Sequence, residues 1–184
     1  MDNNFSNHQL LYQLKDPQLK EQGFRMLTAQ YGKALYWHIR RVVIGHDDAE
    51  DAFQETCIKI FSSIDGFKGD ETQLLSWLYR IATREALQLL RRQTRFFQSI
   101  DALSPSLTAT LKSENEINGK SAELLFQQAL LQLPTAQRVA FNLRYYDELS
   151  YEQIAEITGK KVGTLKTNYH YAAERIKEYI KQNA

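Results

Sequence analysis

The strongest chemical signal in the sequence is a basic, hydrogen-bonding segment near the carboxyl end. Residues 160–177 hold five lysines and arginines against one glutamate, a local charge of +4. In a helix each residue is rotated by about 100° from the one before it. If this segment is helical, that rotation places its hydrogen-bonding side chains on the side that faces away from the core. Such side chains suit base edges and phosphates in the major groove of DNA. They are Thr164, Lys166, Thr167, Asn168, His170 and Tyr171.

Two short helices are predicted to position this segment. Ser150 and Gln153 have the spacing of a capping box, which starts a helix. Gly159 is placed to end that helix in the left-handed region, and a second apolar stripe begins at Val162. Two short helices around a central glycine predict a helix-turn-helix. The alternative is a helical hairpin with a solvated basic surface.

An acidic block lies in the first half of the chain. Residues 47–55 hold five carboxylates and no cation, a local charge of −5. Carboxylates at a helix N-terminus complement its dipole, which accounts for part of the block. Asp51, Gln54 and Glu55 continue along the helix, however, and form a surface suited to a basic protein partner.

A basic block follows on the next predicted helix. Residues 80–95 hold five arginines against one glutamate, a local charge of +4. Cations at a helix C-terminus account for some of these arginines. Trp77 and Tyr79 lie one turn upstream, and aromatic rings beside arginines are typical of sites for single-stranded nucleic acid. A core position for Trp77 is an equally good interpretation.

The composition predicts an all-α protein of two small helical domains. The 184 residues include only 8 Gly and 3 Pro, and 23 Leu stand against 4 Val, so helix formers dominate strand formers. Residues 96–121 are polar and carry no sustained apolar stripe, which predicts a linker. The predicted domains are therefore 1–95 and 122–184, the second containing the helix-turn-helix. The net charge of +1 conceals the opposing blocks.

Several classes of function are not expected. The four histidines lack metal-ligand spacing, no phosphate loop or nucleophile–base motif is present, and no cofactor is implied. A single cysteine, Cys57, excludes a disulfide framework. No membrane span and no signal pattern are recognisable. We expect a cytoplasmic protein that is not an enzyme.

Two blocks of motifs resemble bacterial sigma factors of the extracytoplasmic-function type, in that family's order. Region 2 is matched by Asp48–Thr56, Phe67–Asp70 and Ser76–Ala82. Region 4 is matched by Leu133–Pro134, Leu149–Glu156 and Val162–Lys166. The resemblance implies a transcription initiation factor with core RNA polymerase, promoter DNA and an anti-sigma factor as partners.

The resemblance also implies roles for the residues described above. Core polymerase would be bound by Asp48, Asp51, Gln54 and Glu55. The −10 element would be melted and read through Trp77, Tyr79, Arg80, Arg84, Arg91 and Arg92. The −35 element would be read through Thr164, Lys166, Thr167, Asn168, His170 and Tyr171. Arg84, Asn168 and Tyr171 depart from the residues common in the family, so the promoter sequence is not carried over.

Two alternatives remain open at this point. The first is a helix-turn-helix transcriptional regulator in which residues 1–121 form a sensing or dimerising module. Such a regulator binds duplex DNA alone, whereas a sigma factor protects a promoter only together with core polymerase. The second is a helical adaptor that binds protein only and leaves promoter DNA unbound.

Overall fold

The computed structural model describes residues 5–97 and 121–183, with side chains described for 5–93 and 125–183. Every regular element in these ranges is helical, which confirms the all-α fold class. A short 3-10 turn, Ile64–Gly66, follows the third helix. The helices are α1 (Asn7–Lys15), α2 (Lys20–Val43), α3 (His46–Ser63), α4 (Leu74–Phe97), α5 (Ser121–Leu131), α6 (Thr135–Tyr145), α7 (Tyr151–Thr158) and α8 (Val162–Asn183).

The ends of the helices follow local signals in the sequence. The Ser150 hydroxyl accepts a hydrogen bond from the Gln153 backbone N–H, and the Gln153 side chain accepts one from the Ser150 N–H. This is the predicted capping box of α7. Gly159 ends the helix at a φ of 69°, in the left-handed region where a side chain is strained. The predicted helix-turn-helix is confirmed as α7 and α8.

Helices α1 to α4 form the first packed unit. These helices pack together through leucines and isoleucines that lie at helical spacing, such as Leu35 and Ile39 on α2 and Leu78 on α4. His38 lies within the predicted apolar stripe of α2 and is fully buried. The stripe therefore holds a polar side chain that requires hydrogen-bond partners inside the protein.

Helices α5, α6 and α8 share a smaller apolar cluster, to which Phe141, Ala172 and Ile176 contribute. The other face of α6 and the buried face of α7 belong to the larger core instead. Leu143, Ile154 and Leu165 lie in the same cluster as the residues of α1 to α4. The carboxyl-terminal unit is thus built around two apolar clusters, one of its own and one shared.

The two helical units are in direct contact. Helix α7 packs against α4, and α6 packs against α2. The predicted linker, 96–121, lies almost wholly outside the described residues. The division of the chain at residues 95 and 122 stays a prediction.

Candidate nucleic-acid and protein interfaces

Helix α8 presents the side chains that were predicted to read DNA. Leu165, Ala172 and Ile176 point into the protein and are buried, which leaves the opposite side of the helix to solvent. On that side Tyr171 is 54 % exposed. We call this surface the reading face: Thr164, Lys166, Thr167, His170 and Tyr171, which are exposed, and Asn168, which is half-buried.

An aromatic ring links the reading face to the start of α7. The Lys166 ammonium lies 5.7 Å from the ring centroid of Tyr151, and the Arg144 guanidinium lies 5.3 Å from it. Arg144 also donates a hydrogen bond to the Leu149 carbonyl at 2.9 Å. Two cations are thereby held on one surface by cation–π contacts. No periodic pattern pairs Arg144 with Tyr151, because the two residues lie on different helices.

Helix α3 carries an acidic face. Asp51, Gln54 and Glu55 are exposed, and Asp48 is half-buried at the first turn. In the described part of the chain neither Asp51 nor Glu55 forms an ion pair. Ile58 lies one turn further along the same side and is 61 % exposed. An exposed apolar residue beside unpaired carboxylates is typical of a protein-binding surface, and the charge pattern alone did not indicate Ile58.

The residues predicted to bind the −10 element lie on two different sides of helix α4. Arg84, Arg91 and Arg92 are exposed, Arg80 is half-buried, and the described residues supply none of the four with a carboxylate partner. We call these four arginines the basic face of α4. Tyr79 lies on the other side and is only 4 % exposed. The tyrosine is therefore covered in this conformation, whereas the arginines are accessible.

The exposure of Trp77 is intermediate between that of the arginines and that of Tyr79. It is half-buried and its ring is 5.0 Å from that of Phe67, at a tilt of 44°. The Phe67 ring in turn closes over Gly69, where an added Cβ would lie 2.5 Å from the Phe67 Cζ. A larger residue at position 69 would therefore displace the Phe67 ring. Trp77 is both a packing residue and a partly accessible ring, so both sequence interpretations fit its position.

The Tyr79 hydroxyl meets a carboxylate from the carboxyl-terminal unit. Asp147, in the loop between α6 and α7, lies with one oxygen 2.8 Å from His38 Nδ1. Its other oxygen accepts hydrogen bonds from Arg41 Nη2 and, at 3.4 Å, from the Tyr79 hydroxyl. His38 Nε2 lies 2.9 Å from the Thr83 hydroxyl. We call the three residues that contact the carboxylate, His38, Arg41 and Tyr79, together with Thr83 behind His38, the Asp147 pocket.

The pocket is polar and largely buried, with the Arg41 side chain at its exposed edge. The side chain of Asp147 is 4 % exposed and that of His38 is fully buried. Burial, reinforced by the negative charge of Asp147, raises the pKa of the Tyr79 hydroxyl, so Tyr79 stays protonated and donates a hydrogen bond to the carboxylate. Sequence reasoning missed this cluster because His38 and Asp147 are 109 residues apart.

Two further properties of the described residues bear on function. No group of three or more histidine, cysteine or acidic side chains in these ranges is arranged to hold a metal ion. No helix among them is both long and apolar enough to cross a bilayer.

Comparison with known proteins identifies the family. The family model for Sigma-70 region 2 matches residues 27–96, and the model for Sigma-70 region 4 matches residues 123–176. The ECF RNA polymerase sigma-E factor of Haemophilus influenzae is 31 % identical over 169 residues, which cover 87 % of this chain and 88 % of that protein.

Two solved structures have the same fold. One is the sigma factor RpoE of Bartonella quintana in complex with the anti-sigma factor NepR, with a TM-score of 0.67, 25 % identity and coverage of 86 % of this chain and 96 % of that one. The other is CnrH in complex with the cytosolic domain of CnrY, with a TM-score of 0.72, 19 % identity and coverage of 98 % and 100 %. The chain belongs to the sigma factors of bacterial RNA polymerase, in the extracytoplasmic-function group, whose members direct the polymerase to specific promoters.

Proposed function

We propose that this sigma factor binds core RNA polymerase through the acidic face of α3 and reads its promoter through two separate helices. Asp51, Gln54 and Glu55, with Asp48 at the edge, meet the clamp helices of the largest polymerase subunit. The unpaired carboxylates and the exposed Ile58 support this assignment, because opposite charge steers association and an apolar contact stabilises the docked state.

In this proposal α8 reads the −35 element in the major groove. The observation that carries the proposal is the reading face itself: five exposed side chains and Asn168 on the second helix of a helix-turn-helix. Lys166 contacts a phosphate or a guanine edge, and Tyr171 contacts a base or a thymine methyl group. Arg144 adds a cation from the end of α6, on the side where Tyr151 aligns it with Lys166.

Helix α4 melts and binds the −10 element as a single strand. The basic face follows the phosphate backbone, and Trp77 and Tyr79 supply rings on which unpaired bases stack. The polymerase performs the chemistry of transcription, so the factor contributes recognition and no catalytic residue. It acts in the cytoplasm, where the polymerase acts.

We also propose an anti-sigma factor as a regulatory partner. The Bartonella quintana relative was solved with such a protein. The exposed acidic face of α3 and the exposed reading face of α8 are the surfaces that an inhibitor would have to cover, because each is used in initiation under this proposal.

The regulator alternative is not favoured. It requires residues 1–121 to be a sensing or dimerising module, whereas the Sigma-70 region 2 model matches 27–96. A regulator also has no need of an unpaired acidic face on α3.

Transcription in vitro with purified core polymerase and a library of genomic fragments tests the proposed function. The full chain should produce start sites that share a −10 and a −35 sequence, and core polymerase alone should not. A footprint of the chain on duplex DNA without polymerase would support the regulator instead. Transcripts identical to those of core polymerase alone would contradict the proposal.

A further inference from the structure

We propose that Asp147 latches the second helical unit onto the first, and that this latch must open before the chain can engage both promoter elements. The latch is a property of the free chain. The need to open it rests on the proposed function, since it requires α4 and α8 to bind different DNA elements.

The latch is a carboxylate seated in a pocket that belongs to the other unit. Arg41 and His38 on α2 and Tyr79 on α4 all direct polar hydrogens or ring nitrogens at Asp147. Hydrogen bonds between charged groups are the strong ones. Removing one partner of a buried pair is costly because the remaining charge is left dry and uncompensated. The pocket therefore selects the closed arrangement of the two units.

Further contacts tie the same loop to α2. The Arg41 guanidinium lies 4.5 Å from the ring centroid of Tyr146, directly before Asp147. The Asn142 amide donates to the Arg41 backbone carbonyl at 3.3 Å. Arg41 is thus held by the second unit through its side chain and its backbone. The end of α6 and the following loop form one continuous polar attachment to α2.

Charged groups make this attachment reversible. Apolar residues such as Leu149 and Ile154 also lie in the shared core, and they favour closure without specifying an orientation. Arg41 and Asp147 gain hydration when the units separate, which offsets much of the loss of their contact. A closed state of this kind is stable in the free chain and can be opened by a partner that binds the separated units.

The closed state cannot bind both promoter elements at once. Elements centred about 25 base pairs apart are separated by roughly 85 Å of duplex at ~3.4 Å per base pair. In the closed state α7 packs directly on α4, and the two elements would have to be read from adjacent helices. The hydroxyl of Tyr79, a residue assigned above to the −10 strand, is held by Asp147. Opening releases the Tyr79 hydroxyl from Asp147 and frees α7 and α8 to move away together.

A charge reversal tests the latch. The full chain carrying Asp147→Arg places a cation beside Arg41 and His38, which should drive the units apart. Glu148→Arg is the matched control, since Glu148 is exposed in the same loop and undergoes the same change of charge. Asp147→Arg combined with Arg41→Asp restores opposite charges with their positions exchanged and should restore closure.

Two measurements read the outcome. Small-angle X-ray scattering gives the radius of gyration, which is about 16 Å for a compact chain of this length, and circular dichroism reports helix content. We expect Asp147→Arg alone to raise the radius by several ångströms with helix content retained. We also expect the factor concentration for half-maximal transcription to fall about tenfold, because the cost of opening is removed.

An unchanged radius for Asp147→Arg would overturn the latch. So would an increase that is accompanied by loss of helix content and is not reversed by Arg41→Asp, since that is the behaviour of a purely structural pair. An increased radius without a change in the half-maximal concentration would overturn the requirement for opening. If the unmodified chain directs no transcription, the proposed function fails, and scattering still decides whether the latch exists.

Discussion

The reading face of α8 and the predicted DNA surface of α4 belong to segments of the same local charge, but the fold exposes their side chains to different extents. Each of the two basic segments, residues 80–95 and residues 160–177, carries a local charge of +4 beside aromatic residues. On α8 the predicted side chains face solvent, with Tyr171 54 % exposed. On α4 the arginines are accessible, whereas Tyr79 is 4 % exposed and its hydroxyl donates to Asp147. The reading face of α8 is open to a partner. Helix α4, in contrast, is partly covered by the carboxyl-terminal unit, to which α8 belongs.

Functional residues on exposed faces and functional residues around the Asp147 pocket are therefore expected to respond differently to substitution. Substitutions on open faces, on α3 and α8, should act directly on partner binding. Substitutions around the Asp147 pocket should act first on the arrangement of the two units. Near-neutral net charge fits the same scheme, because it limits the affinity of the free chain for nonspecific DNA.

The largest effect is expected on the open acidic face. Asp51→Arg reverses a charge that meets a basic partner in the proposed docking and leaves the core of α3 unchanged. Juxtaposed like charges cost several kcal/mol, so binding to core polymerase should weaken by a factor on the order of 100. Affinity for purified core, measured by fluorescence anisotropy, checks this.

The control for Asp51→Arg is Glu21→Arg, an equal change of charge at an exposed position in the first turn of α2. Equal affinities for the two variants would show that the acidic face does not contact polymerase.

An intermediate effect is expected on the reading face. Lys166→Ala and Tyr171→Ala should each reduce transcription from a promoter with a −35 element by about tenfold, since one good base contact is worth ~1–3 kcal/mol. Affinity for core polymerase should not change. Lys181→Ala, at the exposed far end of the same helix, serves as the control. Equal losses on promoters with and without the element would contradict a reading role.

The smallest effect separates the two sides of α4. Arg91→Ala with Arg92→Ala should lower the salt dependence of binding to a −10 single strand, by about 1.4 in the slope of log affinity against log salt for two phosphate contacts. Binding of the polymerase complex to a labelled oligonucleotide at several salt concentrations measures this. Tyr79→Phe changes no charge and should leave the slope as it is. Equal slopes for all these variants would exclude the basic face from backbone contact.

Much of the fold could be predicted because its signals are local. The capping box at Ser150, the left-handed Gly159 and the apolar stripe of α8 each involve residues within one or a few helical turns. The exposure of Lys166, Thr167 and Tyr171 followed from the same periodicity, since burying one side of a helix leaves the other to solvent. The acidic face of α3 was predictable for that reason as well.

The sequence by itself determined the helices, their caps and the charge that each helix carries, because these depend on neighbours within four or five residues. Only the tertiary structure decided which charges are satisfied inside the protein and which remain for partners. His38 reads as one more position in an apolar stripe, and Asp147 reads as a loop residue. Their contact spans 109 residues and forms only because α6 and α7 pack on α2 and α4. No local pattern encodes the packing between distant segments. That packing thus decides which charged side chains are exposed to partners and which are buried.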